Sequence, residues 1–325
     1  MASYKEIFGT NIEVLASDPA NPVQGQVWYN STDNLVKGLA ATTAGAWATG
    51  GNLNTARREL GGSGTQTSSL AYGGYNGSYQ SLTESYNGST WTEVNDLSTG
   101  KLPGASTGSD NTNALMSGGN TGGGAITNVE SWNGTSWTAV NTLNTGKDAG
   151  AGGGTNTATL IFGGFSTART ALTESWNGTS WTEVNDLNTA RLYLAGTGEN
   201  NTIALAFGGN APPATGVTES YNGTCWTEVA DLNTSRDALA GAGGSNTSAL
   251  AFSGGAAVPI TGATELWNGT SWSEDTDLST GRQYIAGDGT TASAIAFGGG
   301  DPTYSAATEE WTGPGSPLIQ TFTDS

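Results

Sequence analysis

The chain has 325 residues, of which 51 are glycine and only 12% are charged, and its formal net charge is −18. Phosphate recognition needs clustered lysine and arginine, so ten basic residues against 28 acidic ones argue against a nucleic-acid-binding protein and against an anionic membrane surface. The absence of histidine excludes Ser-His-Asp and Cys-His catalysis, and the single cysteine, Cys225, forms neither an intramolecular disulfide nor a thiolate metal site.

Residues 1–45 differ from the rest of the chain. They lack the basic region and apolar core of a signal peptide, and the sequence contains no apolar run of about eighteen residues. We therefore expect synthesis in a cytoplasm, without a signal peptide and without membrane insertion. The phrase "DPANPVQGQVWYNSTDNLVKG" at residues 18–38 predicts a short β element, and we interpret residues 1–45 as an attachment segment ahead of a repeat domain at residues 46–325.

The domain at residues 46–325 is built from a repeat of 45 residues. Its clearest marker is a diglycine that ends a period-two alternation of apolar residues, which is the pattern of a strand with one buried face. The marker recurs at Gly73, Gly118, Gly163, Gly208, Ser253 (a Ser-Gly pair) and Gly298.

Further markers keep a constant register inside each repeat. A glutamate is followed after two positions by an aromatic residue and after seven by a tryptophan, and a basic residue lies ten positions beyond that tryptophan. Asn-Gly follows five of the aromatic residues and predicts a type I′ turn between two strands. The glutamates are Glu84, Glu130, Glu174, Glu219, Glu265 and Glu309, and the basic residues are Arg57, Lys101, Lys147, Arg191, Arg236 and Arg282.

Each repeat is therefore predicted to contain four short strands. The first is dominated by glycine and alanine, as in "DAGAGGGT", the second ends in the diglycine, the third carries the glutamate and the fourth the tryptophan. A period of about 45 residues with four strands per unit is typical of a β-propeller. Small residues suit innermost strands that crowd around an axis, and the aromatic residues fill the space where neighbouring blades diverge.

The two ends of the repeat domain complement each other. Seven positions after Glu309 stands Ser316 instead of tryptophan, whereas Trp47 has no strand pattern ahead of it. We predict an all-β, six-bladed propeller with four-stranded blades, in which the N-terminal strand at Trp47 closes the last blade and removes an exposed sheet edge. The alternative is that residues 317–323 supply the missing strand.

The register of basic residue, diglycine, Glu-x-aromatic and tryptophan resembles the kelch repeat, in six copies over residues 47–325. Ser253 and Ser117 depart from that pattern, the first in place of a glycine and the second in place of an aromatic residue. The Pro-x-x-Gly-x-Val-aromatic-aromatic-Asn phrase within residues 18–38 is similar to a β element that precedes distal domains of bacteriophage tail-fibre and virion proteins. With Gly- and Thr-rich kelch-like repeats behind it, this leader resembles structural proteins of marine tailed phages.

Three recurring polar features have a structural interpretation. The glutamates and basic residues recur in every repeat, so we expect them to form bonds that lock adjacent blades, although a charged ring around the channel is an alternative. The Asn-Gly-Ser/Thr sequences match N-glycosylation acceptors, but the turn explains them without sugar. Aspartates after the fourth strands are interpreted as turn residues, with a ring of cation ligands as the alternative: Asp96, Asp186, Asp231 and Asp277.

The loops between the second and third strands differ from repeat to repeat. By topology they share a face with the connections between blades, and a rigid scaffold that presents variable loops on one face is a common binding surface. The loop residues best suited to stack on a sugar or to contact a partner are Tyr75, Tyr79, Phe165, Arg169, Asp301 and Tyr304.

The resemblance and the variable loops lead to one functional hypothesis. The protein is expected to be a bacteriophage virion structural protein, a tail fibre or another tail- or capsid-attached appendage, present in several copies in a symmetric assembly. Residues 1–45 would contact other virion proteins, and the propeller loops would bind host cell-surface carbohydrate or an adjacent virion protein. No catalytic residue, metal ligand or cofactor is predicted. The alternatives are a free-standing lectin-like or protein-binding module and a carbohydrate-active enzyme with carboxylates from different blades.

Overall fold

All regular structure in the described residues is β. The computed structural model describes residues 12–19, 26–41, 44–255, 260–300, 303–315 and 317–322. Within these ranges the chain forms 28 strands in seven four-stranded sheets, without a helix. The prediction of an all-β protein with four-stranded, propeller-like repeats is confirmed. The chain divides into two compact units, one formed by Met1–Gly45 with Thr312–Ser325 and the other by Ala46–Trp311.

The strands are short and follow one another closely. β1 to β4 are Glu13–Leu15, Val27–Asn30, Leu35–Ala41 and Ala46–Thr49. β5 to β8 are Gly61–Thr65, Ser68–Tyr72, Thr83–Tyr86 and Trp91–Val94. β9 to β12 are Ala105–Asp110, Asn113–Ser117, Val129–Trp132 and Trp137–Val140. β13 to β16 are Ala151–Thr155, Ala158–Phe162, Thr173–Trp176 and Trp181–Val184. β17 to β20 are Ala195–Asn200, Ile203–Phe207, Thr218–Tyr221 and Trp226–Val229. β21 to β24 are Ala240–Ser245, Ser248–Phe252, Thr264–Trp267 and Trp272–Asp275. β25 to β28 are Ala286–Gly289, Ser293–Phe297, Thr308–Thr312 and Pro317–Phe322.

The first unit contains one sheet, the terminal sheet, in the order β1-β2-β3-β28. β1 and β2 are parallel, whereas β3 is antiparallel to both of its neighbours. Asp18 Oδ1 accepts hydrogen bonds from Trp28 Nε1 at 3.0 Å and from Asn30 Nδ2 at 2.8 Å, and Lys37 Nζ lies 2.9 Å from Asp18 Oδ2. These contacts, led by the Asn30 hydrogen bond, lower the pKa of Asp18 to about 2. Within the leader phrase, residues 26–38 thus contain β2 and the start of β3, which pair with each other.

The second unit contains six sheets, numbered here in chain order. Sheets 1 to 5 are β5–β8, β9–β12, β13–β16, β17–β20 and β21–β24, and sheet 6 has the order β25-β26-β27-β4. The fourth strand of sheet 6 is therefore β4, which carries Trp47, while β28 pairs with β3 in the terminal sheet. Of the two strands proposed to complete the last repeat, the structure places the N-terminal one there.

Glycine in the first strands leaves room for aromatic rings of the preceding sheet. A Cβ atom at Gly196 would lie 2.5 Å from Cζ of Phe162, and one at Gly241 would lie 2.6 Å from Cζ of Phe207. Both rings are fully buried, and a close-packed interior cannot absorb such overlaps without displacing the ring. The first strands of successive sheets lie side by side, and that of sheet 6 also lies beside that of sheet 1.

A tryptophan of each fourth strand connects its sheet to the preceding one. Trp91 of sheet 1 donates through Nε1 to Thr308 Oγ1 of sheet 6 at 3.1 Å. In sheet 3 the donor is Trp181, and its Nε1 instead bonds to the Asn141 carbonyl at 3.0 Å because sheet 2 has Val129 where the other sheets have threonine. The remaining pairs are Trp137–Thr83, Trp226–Thr173, Trp272–Thr218 and Trp47–Thr264.

Trp47→Phe should lower the free energy of unfolding by about 1 kcal/mol, because Thr264 Oγ1 loses its donor while the ring still packs on Phe252 and Trp311. Urea unfolding followed by circular dichroism measures this change. Trp91→Phe removes the equivalent bond and serves as the reference. If Trp47→Phe left the free energy of unfolding unchanged while Trp91→Phe lowered it, the position of β4 in sheet 6 would be contradicted.

The repeated glutamates and basic residues form buried ion pairs. In sheet 4, Arg191 Nη1 lies 2.9 Å from Glu219 Oε1, and neither side chain is exposed. Glu219 Oε2 also accepts hydrogen bonds from the backbone N and the Nδ2 of Asn188, in the connection from sheet 3, at 2.6 and 2.8 Å. The expected structural role is confirmed: each carboxylate anchors the incoming connection. The other pairs are Arg57–Glu84, Lys101–Glu130, Lys147–Glu174, Arg236–Glu265 and Arg282–Glu309.

The recurring asparagines and aspartates form hydrogen bonds, but not those of the predicted turns. The hairpin after Trp176 has a four-residue loop, in which Gly178 has a φ of 88° but Asn177 has no positive φ. Asn177 Oδ1 instead accepts the N–H groups of Thr179 and Ser180 at 3.0 and 2.9 Å, which stabilises a longer loop than type I′. The recurring aspartates do not make the local turn bond that was predicted; each accepts the N–H of a third-strand threonine thirteen positions earlier and so ties the connection back to its own sheet: Asp96, Asp186, Asp231 and Asp277.

Candidate binding site

A cavity of about 260 Å³ lies where the first strands of all six sheets meet. Its walls are mainly the glycines and alanines of these strands, together with the residues just before them. Residues with carboxyl groups line it at Glu59, Asp148 and Asp288. Because small residues bring the strands close together, the cavity is narrow and its polar character comes from backbone and from these few side chains.

The segments before the first strands surround one mouth of the cavity. The second residue after the repeated basic residue has a left-handed backbone in five sheets, with φ from 50° to 56°. Glu59 N donates to the Tyr284 carbonyl at 2.9 Å, and the same bond continues from sheet to sheet through Tyr284–Ala238, Ala238–Tyr193 and Tyr193–Ala149. Pro103, which has no N–H, stands at the sixth position. This backbone ladder holds side chains from distant parts of the sequence around one opening.

Tyr193 and Tyr284 line this cavity, and three further tyrosines are connected to them through Arg58 and ring contacts. The five are termed the tyrosine cluster: Tyr75, Tyr79, Tyr193, Tyr284 and Tyr304. The ring centroids of Tyr75 and Tyr79 are 5.4 Å apart, those of Tyr75 and Tyr304 are 6.1 Å apart, and those of Tyr193 and Tyr284 are 5.0 Å apart. All three contacts are edge-to-face, a favourable geometry for aromatic pairs.

Arg58 connects the two halves of the tyrosine cluster. Its Cζ lies 5.4 Å from the Tyr284 ring centroid and 5.8 Å from that of Tyr304, which are cation–π distances. Tyr304 is 36% exposed and Tyr79 is 38% exposed, so two flat rings face solvent on a rigid support.

The charges at the mouth are mainly negative. Arg58 Nε lies 3.4 Å from Glu59 Oε1, and burial raises the pKa of the Glu59 carboxyl while Arg58 opposes that rise. Asp148 Oδ2 accepts a hydrogen bond from Asn120 Nδ2 at 2.7 Å, and burial raises the pKa of this carboxyl as well. Burial and the nearby Glu59 charge raise the pKa of Tyr193, so its phenol stays protonated.

The structure brings together three of the six loop residues that the sequence analysis singled out, Tyr75, Tyr79 and Tyr304. Phe165 and Arg169 lie on the matching loop of sheet 3, where Phe165 is 38% exposed and Arg169 Nη2 donates to Asn210 Oδ1 at 2.9 Å. Asp301 lies outside the described residues. A binding role for these residues stays a prediction.

Sequence reasoning missed the residues that complete the mouth, namely Arg58, Glu59, Asp148, Tyr193 and Tyr284. They belong to the two positions that follow each repeated basic residue. Those dipeptides vary along the chain, reading Arg-Glu, Leu-Pro, Asp-Ala, Leu-Tyr, Asp-Ala and Gln-Tyr. Because these two positions vary while the basic residue before them is constant, the sequence did contain a signal that they lie at the surface.

The arrangement supplies flat rings, carboxylates and one guanidinium on a rigid backbone. Within the described ranges, no three side chains are grouped so as to hold a metal ion, and no helix there is long and apolar enough to cross a lipid bilayer. The sequence matches no protein-family model, and no characterised protein is significantly similar to it.

Proposed function

We propose that Ala46–Trp311 closes into a six-bladed, kelch-like β-propeller, and that the protein is a structural protein of a tailed-bacteriophage virion. In this proposal the propeller face that carries the tyrosine cluster binds a host surface glycan or an adjacent virion protein. The terminal sheet provides the attachment to the rest of a tail fibre or another appendage.

Closure of the propeller is supported by contacts between sheets 6 and 1. Glu59 N donates to the Tyr284 carbonyl at 2.9 Å, and Trp91 Nε1 donates to Thr308 Oγ1 at 3.1 Å. Both bonds repeat those between other successive sheets. Because β4 comes from the N-terminal side of the chain, its place in sheet 6 ties the start of the domain to its end.

The observation that carries the binding role is that the tyrosine cluster breaks the repeat. The buried ion pairs and the Trp–Thr bonds recur from sheet to sheet, as structural elements do. The tyrosines instead come from sheets 1, 4 and 6 and converge at one opening. Aromatic residues are enriched at sites where proteins bind ligands and partners.

The virion role is supported by the resemblance of residues 18–38 to phage virion proteins and by the strand pair that the described part of this segment forms. Trp28 of β2 is fully buried, and its Nε1 donates to Asp18 Oδ1 at 3.0 Å, so β2 is held within the terminal sheet. A separate four-stranded sheet is a suitable contact for assembly with other virion proteins.

An antibody against the protein should label purified particles of the phage that encodes it, and mass spectrometry should find several copies per particle. Detection only in the particle-free lysate would contradict the virion role and favour a free-standing binding module.

Particles that carry Tyr75→Ala with Tyr304→Ala should contain the protein in normal amount but adsorb to host cells roughly tenfold less, because two rings of the cluster are lost. Adsorption equal to that of wild-type particles would contradict recognition through this face.

A further inference from the structure

We infer that the tyrosine cluster, together with Arg58, Glu59 and Asp148 at the cavity mouth, is a binding site for an uncharged sugar ring. This inference rests on the proposed binding function and names its ligand class and its residues.

The exposed rings suit the apolar face of a pyranose. A sugar ring presents C–H groups on its faces and hydroxyl groups around its edge, so a flat aromatic ring buries the first while leaving the second available. Tyr79 and Tyr304 each expose more than a third of their surface. Tyr304 is held by Tyr75 and by Arg58, and a platform fixed in advance loses little side-chain entropy on binding.

The polar side chains beside the rings suit hydroxyl groups. Carboxylates of Glu59 and Asp148 accept hydrogen bonds, the Arg58 guanidinium donates them, and a hydroxyl group does both. The three residues are half-buried, so water competes less for these hydrogen bonds than at an open surface. Glu59 is also fixed through its backbone by the bond to Tyr284.

The charge at the mouth selects against anionic sugars. Glu59 and Asp148 line the opening, and Arg58, the basic residue beside them, lies 3.4 Å from the Glu59 carboxylate. The formal net charge of −18 adds a long-range repulsion of anions. A cationic ligand would be repelled by the Arg58 guanidinium, which already lies over the Tyr284 and Tyr304 rings. An uncharged ring avoids both conflicts.

The volume of the cavity favours one sugar ring over a protein segment. A volume of about 260 Å³ lies just below the range of roughly 300–1,000 Å³ that holds drug-sized ligands. A stable protein partner would need about 800 Å² of contact with an apolar centre, whereas the centre of this face is the charged mouth itself.

The test uses the full-length protein and a matched pair of probes, methyl glucosides and methyl glucuronides, which differ in the charge at one carbon. The corresponding galactosides, mannosides and N-acetylhexosaminides extend the uncharged set. Saturation-transfer NMR and calorimetry measure binding to wild type, to Tyr304→Ala, to Tyr79→Ala and to Phe322→Ala. Phe322 is 52% exposed in the terminal sheet and serves as the control for loss of an exposed ring.

We expect an uncharged glycoside to bind with a Kd near about 1 mM, the glucuronide to bind at least roughly tenfold more weakly, and either tyrosine variant to lose roughly tenfold in affinity. Phe322→Ala should bind like wild type, and Glu59→Gln should narrow the gap between glucoside and glucuronide. Thermal unfolding of each variant shows that the fold is retained.

Three results would overturn the inference: no binding of any uncharged glycoside at about ten times that concentration, equal or stronger binding of the glucuronide, or equal losses in Phe322→Ala and the tyrosine variants. If the protein is nevertheless present in purified particles, only the sugar site is wrong. If sugar binds but particles lack the protein, the virion role is wrong and the sugar site stands.

Discussion

Glu219→Gln should lower the free energy of unfolding by about 3 kcal/mol, because it leaves the Arg191 guanidinium charged and buried without a counter-ion. Glu219 Oε1 lies 2.9 Å from Arg191 Nη1, and burial already lowers the pKa of that guanidinium, with Glu219 opposing the effect. Glutamine also weakens the two hydrogen bonds that Asn188 donates to Glu219 Oε2. The connection between sheets 3 and 4 therefore loses its anchor together with the ion pair.

Urea unfolding followed by circular dichroism measures this change, and Glu228→Gln is the matched control. Glu228 pairs directly with Glu219 across β19 and β20 but is exposed, so its substitution should change stability by less than about 0.5 kcal/mol. Replacing Arg191 and Glu219 together with apolar residues should recover most of the loss, since no unpaired charge then remains. Similar effects of the two single glutamine variants would contradict a structural role for the buried pair.

The second large effect is expected from Asp288, a buried carboxyl on the first strand of sheet 6. Ser69 Oγ of sheet 1 donates to its Oδ2 at 2.7 Å, and burial raises the pKa of Asp288 to about 7 from an ordinary value of 3.8. Between these pH values the unfolded chain releases this proton while the folded protein retains it, so stability falls as the pH rises. The difference corresponds to about 4 kcal/mol, present below about pH 4 and lost above about pH 7.

Asp288→Asn should remove this part of the pH dependence and make the protein more stable than wild type at about pH 8. Asparagine keeps an acceptor for Ser69 without a charge. Burial also raises the pKa of the Glu59 and Asp148 carboxyls, so the result is the difference between the two unfolding profiles. Glu199→Gln, at an exposed position of β17, should follow the wild-type profile. Parallel profiles for wild type and Asp288→Asn would show that Asp288 is ionised in the folded protein.

The strands could be predicted from the sequence because their causes are local. Alternation of apolar residues up to a diglycine specifies one buried face, and this pattern needs no knowledge of the neighbouring sheet. The isolated Trp47 also predicted that β4 completes the last repeat, because that repeat lacks the tryptophan of a fourth strand and Trp47 marks a fourth strand without a repeat of its own. The type I′ turn after Trp176 was wrong because the Asn177 side chain accepts two backbone N–H groups, and a sequence pattern does not report the length of the loop.

The binding face was predicted only in part. Tyr75, Tyr79 and Tyr304 stood out because their loops differ between repeats, but Glu59 and Tyr284 lie more than two hundred positions apart in the sequence. They meet through one backbone hydrogen bond between sheets 1 and 6. A pattern along the sequence does not report which residues so far apart in the chain lie next to each other in space.

The sequence alone determined the repeat and the four strands in each unit, since these follow from local periodicity and from counting. The tertiary structure decided that β4, not residues 317–323, completes sheet 6, and that the glutamates pair with the basic residues. The tertiary structure also decided which side chains share the mouth of the cavity and that the Asp288 carboxyl is buried without a basic partner. Asp288 shows the reason. At its position other first strands have serine, threonine, glycine or alanine, and only the packing of sheet 6 against Ser69 removes its carboxyl from water.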